Sequence, residues 1–148
     1  MEIQLRAVTR QNFDDITDLR LLDHQRDYIA SNSYSIAQAS FYPEMQARAI
    51  YAGEELVGFL MYVDLKLEGL PGEFGVWRLM VDLLHQGRGY GRQALQVALA
   101  EIRVRGGVRK IWISYQPDNT RAKDLYASMG FVETDLDEDG EMNAVLEL

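Results

Sequence analysis

Leu79-Met80-Val81-Asp82-Leu83-Leu84-His85-Gln86-Gly87-Arg88-Gly89-Tyr90-Gly91-Arg92 is the stretch on which the reading of this chain turns. An apolar run gives way to three alternate glycines, and an amphipathic segment follows to about Val104. A strand, a tight glycine turn and a helix start together aim unpaired backbone N–H groups at a phosphate. Arg88 and Arg92 are both cationic, and no carboxylate interrupts them. The combination points to an anionic cofactor held by backbone.

Two familiar phosphate motifs fail. A dinucleotide fingerprint would need glycine at position 92 after Gly87 and Gly89, where Arg92 stands. Its acidic residue after the next strand is also missing, since Ser114 and Tyr115 occupy that region. A Walker A loop ends in Gly-Lys-Ser/Thr, and the chain contains no such tripeptide. What remains is Q-x-x-G-x-G, with Gln86, Gly89 and Gly91 in the fixed places. Alone it is also compatible with a turn built only for close packing.

Working outward, Phe74 to Val81 reads as a largely apolar strand entering the turn, and Ile111-Trp112-Ile113 as the strand after the helix. Within that helix Leu95, Ala98, Leu99 and Ile102 fall on one stripe, and Gly106-Gly107 stops it. Upstream, Ile3 to Val8 alternates as a half-buried strand, and Thr9 to about Tyr28 carries one or two short helices. Ser35 caps a further short helix, with Pro43 at its end. Arg48 to Ala52 and Leu56 to Leu65 form a hairpin about Gly53-Glu54. Downstream, Asn119 or Asp118 caps a helix with Ala122, Leu125, Tyr126 and Met129 on one face and Gly130 as its stop. Phe131 to Leu136 and Met142 to Leu148 close as a hairpin about Asp139-Gly140. The order is mixed α/β, with antiparallel hairpins flanking a central strand–helix–strand unit.

The 148 residues suit a single domain, 1–148, with an ordinary soluble composition. No window approaches ~18 uninterrupted apolar residues, so no membrane span or signal peptide is expected and a cytoplasmic protein is the default. The absence of cysteine removes disulfides, thiolate zinc sites and a thiol nucleophile. His24 and His85 stand far apart, outside any metal-type spacing, so no metal is expected. A formal charge of −8 without a basic patch argues against nucleic acid. The same acidity attracts a cationic substrate, or simply keeps the protein soluble.

Asn119-x-x-Ala122-x-x-x-Tyr126-x-x-x-Gly130-Phe131 follows one strand after the glycine turn. With that second motif the chain resembles the GCN5-related N-acetyltransferase (GNAT) superfamily, which binds acetyl-CoA. The resemblance implies a central, mostly antiparallel twisted sheet of about six to seven strands, flanked by about four helices and splayed at the two central strands. It implies that Leu79, Met80 and Val81 offer backbone groups to the pantetheine arm. Gln86, Gly87, Arg88, Gly89, Tyr90, Gly91 and Arg92 would wrap the pyrophosphate, helped by the helix dipole and by Lys123. Asn119 would bond the cofactor arm or simply cap its helix. By spacing alone Tyr126 is a core tyrosine; the resemblance places it beside the cofactor sulfur as general acid.

The reaction implied is direct attack of a neutral amine on the thioester in a ternary complex. Glu73, at the start of the central strand, is either a base acting through water or a solvated strand-edge carboxylate. Gln25-x-x-Tyr28-Ile29-Ala30-Ser31-Asn32, Leu56-Val57-Gly58-Phe59-Leu60-Met61-Tyr62 and Trp77-Arg78-Leu79-Met80-Val81-Asp82 resemble bacterial spermine/spermidine (diamine) acetyltransferases. That resemblance implies a polyamine or similar small amine as substrate, with Asp23, Asp27, Glu44 and Tyr28 as its acidic and aromatic surface. Trp77 stands where those relatives often carry an acid, and would serve instead as a cation–π wall or as core. Peptide, protein or antibiotic amines are the rival acceptors, and a non-catalytic acetyl-CoA sensor is the rival class. Homodimerisation follows by family analogy only.

Overall fold

The computed structural model describes residues 2–21 and 30–148. Strands β1 (Ile3–Ala7), β2 (Met45–Ala52), β3 (Glu55–Asp64), β4 (Glu73–Val81), β5 (Lys110–Tyr115), β6 (Val132–Leu136) and β7 (Met142–Glu147) make a seven-stranded sheet in the order β1-β2-β3-β4-β5-β7-β6. Every neighbouring pair is antiparallel except β4 with β5. Helices α1 (Phe13–Thr17), α2 (Asn32–Phe41), α3 (Tyr90–Arg103) and α4 (Thr120–Ser128) complete the described secondary structure, with short 3₁₀ turns at Leu65–Glu68 and Leu83–His85. No described helix is long and apolar enough to cross a membrane.

The period-two pattern of β3 sets which layer covers which face. Leu60 and Tyr62 point to one face, where they meet Ala94, Leu95, Ala98, Leu99 and Ile102 of α3. Phe59, Met61 and Val63 point to the other, towards Ile16 of α1 and Ile36 and Ala39 of α2. Both sets are fully buried, so β3 is a core strand covered on two sides. Each such side chain contributes roughly 1.5–3 kcal/mol of burial. On α3, Glu101 adds a polar anchor: it accepts from Arg48 Nε at 3.1 Å and from the Tyr62 hydroxyl.

The N-terminal helices depart from the sequence pattern. α1 spans only Phe13–Thr17, and Leu22 to Ile29 lie outside the described residues. α2 is capped by Ser31, not Ser35. Ser31 has extended backbone and its Oγ accepts from Tyr34 N at 3.1 Å, whereas Ser35 is buried one turn inside and donates back to the Ser31 carbonyl at 3.0 Å. Both serines have capping chemistry, and the backbone conformation chooses between them.

The sheet opens at its centre. β4 and β5 pair only from Glu73↔Lys110 to Val76↔Ile113. Beyond that point β4 stays with β3 as far as Gly58↔Val81, and β5 stays with β7 as far as Tyr115↔Met142. The two halves therefore diverge while each keeps its outer partner, as the resemblance implied. A bulge adds to this: Val76 faces Tyr62 and Arg78 faces Met61, so Trp77 has no partner in β3. Bulges bend a strand and turn neighbouring side chains out of simple alternation.

Candidate active site

The splay leaves a cleft of about 1050 Å³. One wall is β4 from Val76 to Val81, and the other is Ile113 to Gln116 with Asn119, Ala122, Leu125 and Tyr126. Past Val76 the edge of β4 that faced β5 has no strand partner. Gln86 Nε2 donates to the Val81 carbonyl at 3.0 Å and so ties the turn back to the strand. Asp82 holds the junction: its carboxylate accepts from Leu84 N at 3.3 Å and from Arg20 N at 2.9 Å. The segment leading out of α1 is thereby fastened to the end of β4.

Gly87 and Gly89 both have φ of +80°, a left-handed conformation that only glycine adopts without strain. They fold the chain so that α3 starts with its N–H groups towards the cleft. Gln93 N is the first to find an intrahelical acceptor, the Gly89 carbonyl at 3.2 Å. The preceding amides are left without intrahelical acceptors at the positive end of the helix dipole, and Gln86, Gly87, Gly89, Tyr90, Gly91 and Arg92 line the cleft there. Arg92 donates to Ser128 Oγ at 2.9 Å and so bridges α3 to α4. Arg88 is exposed on the turn and does not line the cleft. Lys123 also lies off the cleft, paired with Glu133 at 3.8 Å.

Asn119 caps α4 by accepting from Ala122 N at 3.1 Å while lining the cleft, so the capping role and a cofactor contact are compatible. The Tyr126 ring packs 5.5 Å from Tyr115 and 6.1 Å from Phe131. Its hydroxyl bonds to no described residue, and burial pushes its pKa up to about 12. The Tyr115 hydroxyl, by contrast, donates to Glu133, and burial with that carboxylate raises it further.

Glu73 is neither solvated nor on the cleft. It sits at the paired end of β4, buried, accepting from Trp112 Nε1 at 2.7 Å, with Arg109 at 3.7 Å. Asp23, Asp27 and Tyr28 lie outside the described residues. Glu44 precedes β2 and does not line the cleft. Trp77 does, half-buried, beside Arg78, whose guanidinium reaches Gln38 of α2 at 3.3 Å. Burial lowers the Arg78 pKa, opposed by Tyr34 and Glu141.

The acids that line the cleft are Glu68, from the 3₁₀ turn after β3, and Asp137, Asp139 and Glu141 of the β6–β7 loop. Asp137 builds the loop by accepting from the amides of Asp139 and Glu141, each at 2.9 Å, and Gly140 closes it at φ +80°. Burial, then Asp137 and Asp139, hold the Glu141 carboxyl above its ordinary range, with Arg78 opposing. The residues at 137–141 appear in the sequence only as a turn about Asp139-Gly140.

The sequence pattern of the Acetyltransferase (GNAT) family matches residues 13–131. The chain belongs to that family. It is an acyltransferase, with acetyl-CoA as cosubstrate. The spermine/spermidine N(1)-acetyltransferase of Bacillus subtilis (strain 168) is 29% identical over 152 aligned positions, covering 100% of both chains. Among solved structures, the spermidine N-acetyltransferase from Vibrio cholerae in complex with CoA and spermine superposes with a TM-score of 0.80 at 18% identity, covering 99% of this chain and 95% of that one. The aminoglycoside acetyltransferase AAC(6')-Ib in complex with coenzyme A and kanamycin gives the same TM-score at 17% identity, with the same coverage of 99% and 95%.

For this GNAT protein, the match covers the cleft from the α1 side through α4 and stops at Phe131, before the acidic loop. The family pattern therefore spans β4, the glycine turn and α4 and leaves the acidic loop of the β6–β7 hairpin outside it.

Proposed function

We propose that the protein acetylates polyamines such as spermidine and spermine, by direct attack of the amine in a ternary complex with acetyl-CoA. The observation that carries this is a single cleft in which the anion-binding turn at Gln86 to Arg92 and the carboxylates of Asp137, Asp139 and Glu141 both take part. The cleft has the separate polarities that an anionic acyl donor and a polycationic acceptor require. The full-length similarity to a spermine/spermidine acetyltransferase supports the same acceptor class.

The donor fits the residues present. The open edge of β4 at Leu79, Met80 and Val81 suits an extended amide-bearing arm, which can hydrogen-bond there like a strand. The α3 N-terminus and its glycine turn suit a pyrophosphate, with charge from Arg92 and, at the exposed edge, Arg88. Acetyl-CoA supplies the acyl carbonyl and a thiolate leaving group. Tyr126 donates a hydrogen bond to the departing sulfur, and Asn119 orients the donor wall. Asp137 and Asp139 hold the ammonium groups of the acceptor. An alkylammonium with a pKa near ~10 must lose a proton before attack. Glu141 takes the place that Glu73 holds in the sequence reading, accepting that proton through water. Trp77 offers an aromatic surface to the acceptor chain. The family resemblance supports a homodimer, which sedimentation at several concentrations checks.

Thiol release from acetyl-CoA, measured across spermidine, spermine, short diamines, an aminoglycoside and a lysine peptide, tests the assignment. Spermidine or spermine is expected to give the highest kcat/KM by tenfold or more. Turnover of peptides without spermidine would overturn the polyamine acceptor. Tight acetyl-CoA binding with no turnover of any amine would make the protein a sensor.

A further inference from the structure

Most glycines of this chain sit at positive φ and answer to a turn, but Gly75 does not. It lies buried within β4, where its backbone would accept any residue, and an interior glycine weakens a strand. A Cβ built there would lie 2.9 Å from Trp77 Nε1 and 3.0 Å from Trp77 Cδ1. The next contact, Leu65 Cδ1, is an ordinary 3.8 Å away. The indole of Trp77 therefore lies back along the strand, over the bare Cα of Gly75.

That seat matters because nothing else in the sheet fixes Trp77. It is the bulged residue with no partner in β3, and β5 has already left at Val76. Trp77 also lines the cleft beside Arg78. Both its strand neighbours are missing at the point where the cleft opens, so side-chain packing alone sets how far the ring protrudes.

We propose that Gly75 is a specificity-determining residue of the acceptor site, acting by seating the Trp77 indole back against β4 at the edge of the cleft it lines. The inference rests on the acetyl-transfer reading for its consequence on amines, and on the glycine contact for the seat itself. Any side chain at position 75 pushes the rigid indole several tenths of an ångström into the cleft, since ordinary contacts begin near ~3.5 Å. The acceptor end narrows while the donor wall, on the far residues of β4, keeps its shape. Gly75 is a positioning residue and touches no substrate.

Gly75→Ala, Trp77→Phe and the double variant test this. The chain has two tryptophans, so 5-fluorotryptophan labelling gives two ¹⁹F resonances, with Trp77→Phe assigning them. Gly75→Ala is expected to move the Trp77 resonance well beyond that of Trp112, whose indole is anchored on Glu73. The amine KM is expected to rise fivefold or more, with kcat and acetyl-CoA affinity within twofold. In the double variant, the amine KM is expected to match that of Trp77→Phe alone, because the smaller ring no longer meets the new methyl. An unmoved Trp77 resonance, or a KM increase that persists unchanged on the Trp77→Phe background, would overturn the proposal. If wild type acetylates no amine, the proposed function fails while the fluorine spectra still decide the seat. Should Gly75→Ala fail to fold, folding of the double variant supports the seat, and failure of both refutes it.

Discussion

Replacing Tyr126 with phenylalanine removes one hydroxyl from the cleft and leaves the ring packed against Tyr115 and Phe131. The hydroxyl has no partner among the described residues, so unfolding stability is expected to change by less than about 0.5 kcal/mol. The catalytic cost is set by what that hydroxyl does at the transition state. With its pKa near 12 and a thiol near ~8.5, full transfer of its proton to the leaving thiolate is uphill by roughly 3.5 units, about 5 kcal/mol. In the proposed reaction Tyr126 would therefore act as a hydrogen-bond donor to developing negative charge, with any proton transfer late. Such a bond contributes about 1.5–3 kcal/mol, which is roughly 10- to 100-fold in rate. Steady-state thiol release from pH 6 to 11, with acetyl-CoA affinity by calorimetry, reads both quantities. Tyr126→Phe is expected to lower kcat by that factor with donor affinity within twofold. The wild-type profile is expected to show no tyrosine limb below about pH 11. A kcat unchanged within twofold, or an alkaline limb near pH 10 that disappears in the variant, would refute the reasoning.

Glu141→Gln is expected to lower kcat for spermidine, read by thiol release, about tenfold or more while stabilising the fold slightly at neutral pH. Its carboxyl is held above the ordinary range, so the native state resists its ionisation, and the gain should vanish in urea titrations run below about pH 4. Gly58→Ala drives a Cβ into the Met80 carbonyl oxygen, a backbone atom that can yield only by displacing β4. It is expected to cost about 3 kcal/mol by denaturant melts and to weaken acetyl-CoA binding; a variant that binds and melts like wild type would remove Met80 from the donor wall. Tyr62 and Tyr126 keep their protons to about pH 12, against about 10 in an unfolded chain. The native state thus binds protons that the unfolded state has lost, so stability is full below pH 10 and falls between 10 and 12. Urea midpoints that stay flat from pH 9 to 11 would contradict it.

The donor half of the site was legible because its chemistry is local. Gly87 and Gly89 act through backbone conformation, Gln86 ties the turn to the strand it follows, and one uninterrupted stretch carries strand, turn and helix start. The strand–helix–strand unit and the hairpins followed from alternation and turn residues, with ends shifted by a residue or two. The acceptor half was not legible in the same way. Glu73 looked available because strand position does not reveal that the Trp112 indole and Arg109 sit over it. Lys123 and Arg92 are both cationic and near the last helix or the turn, yet Glu133 engages one off the cleft and Ser128 meets the other on it. Asp137, Asp139 and Glu141 read as a hydrophilic turn, because only pairing of β7 with β5 carries their loop to the cleft. Ser31 and Ser35 offered the same capping atom, and only the backbone at Ser31 separates them.

The bulge at Trp77 connects the two halves. In a regular strand Trp77 and Leu79 would share a face, but Trp77 packs with the α1 and α2 cluster and Leu79 with the α3 cluster. The extra residue inverts the alternation, so Met80 packs with the α1 and α2 cluster while Leu79 faces α3, whose N-terminus borders the cleft. The same inversion puts Arg78 towards Gln38 of α2, beside Trp77 rather than opposite it. One inserted residue thus sets two adjacent side chains, Trp77 and Arg78, on the α1 and α2 face of β4, beside the edge that β5 leaves free past Val76. Deleting Trp77 altogether would restore simple alternation and carry Arg78 to the position of the indole. Leu79 and Met80 would keep their partners Leu60 and Phe59 in β3, because the residue removed is the unpaired one. Donor binding is therefore expected to survive such a deletion while acceptor binding fails, and calorimetric loss of acetyl-CoA binding would refute this; Trp77→Phe, which keeps the bulge, should disturb the acceptor more mildly.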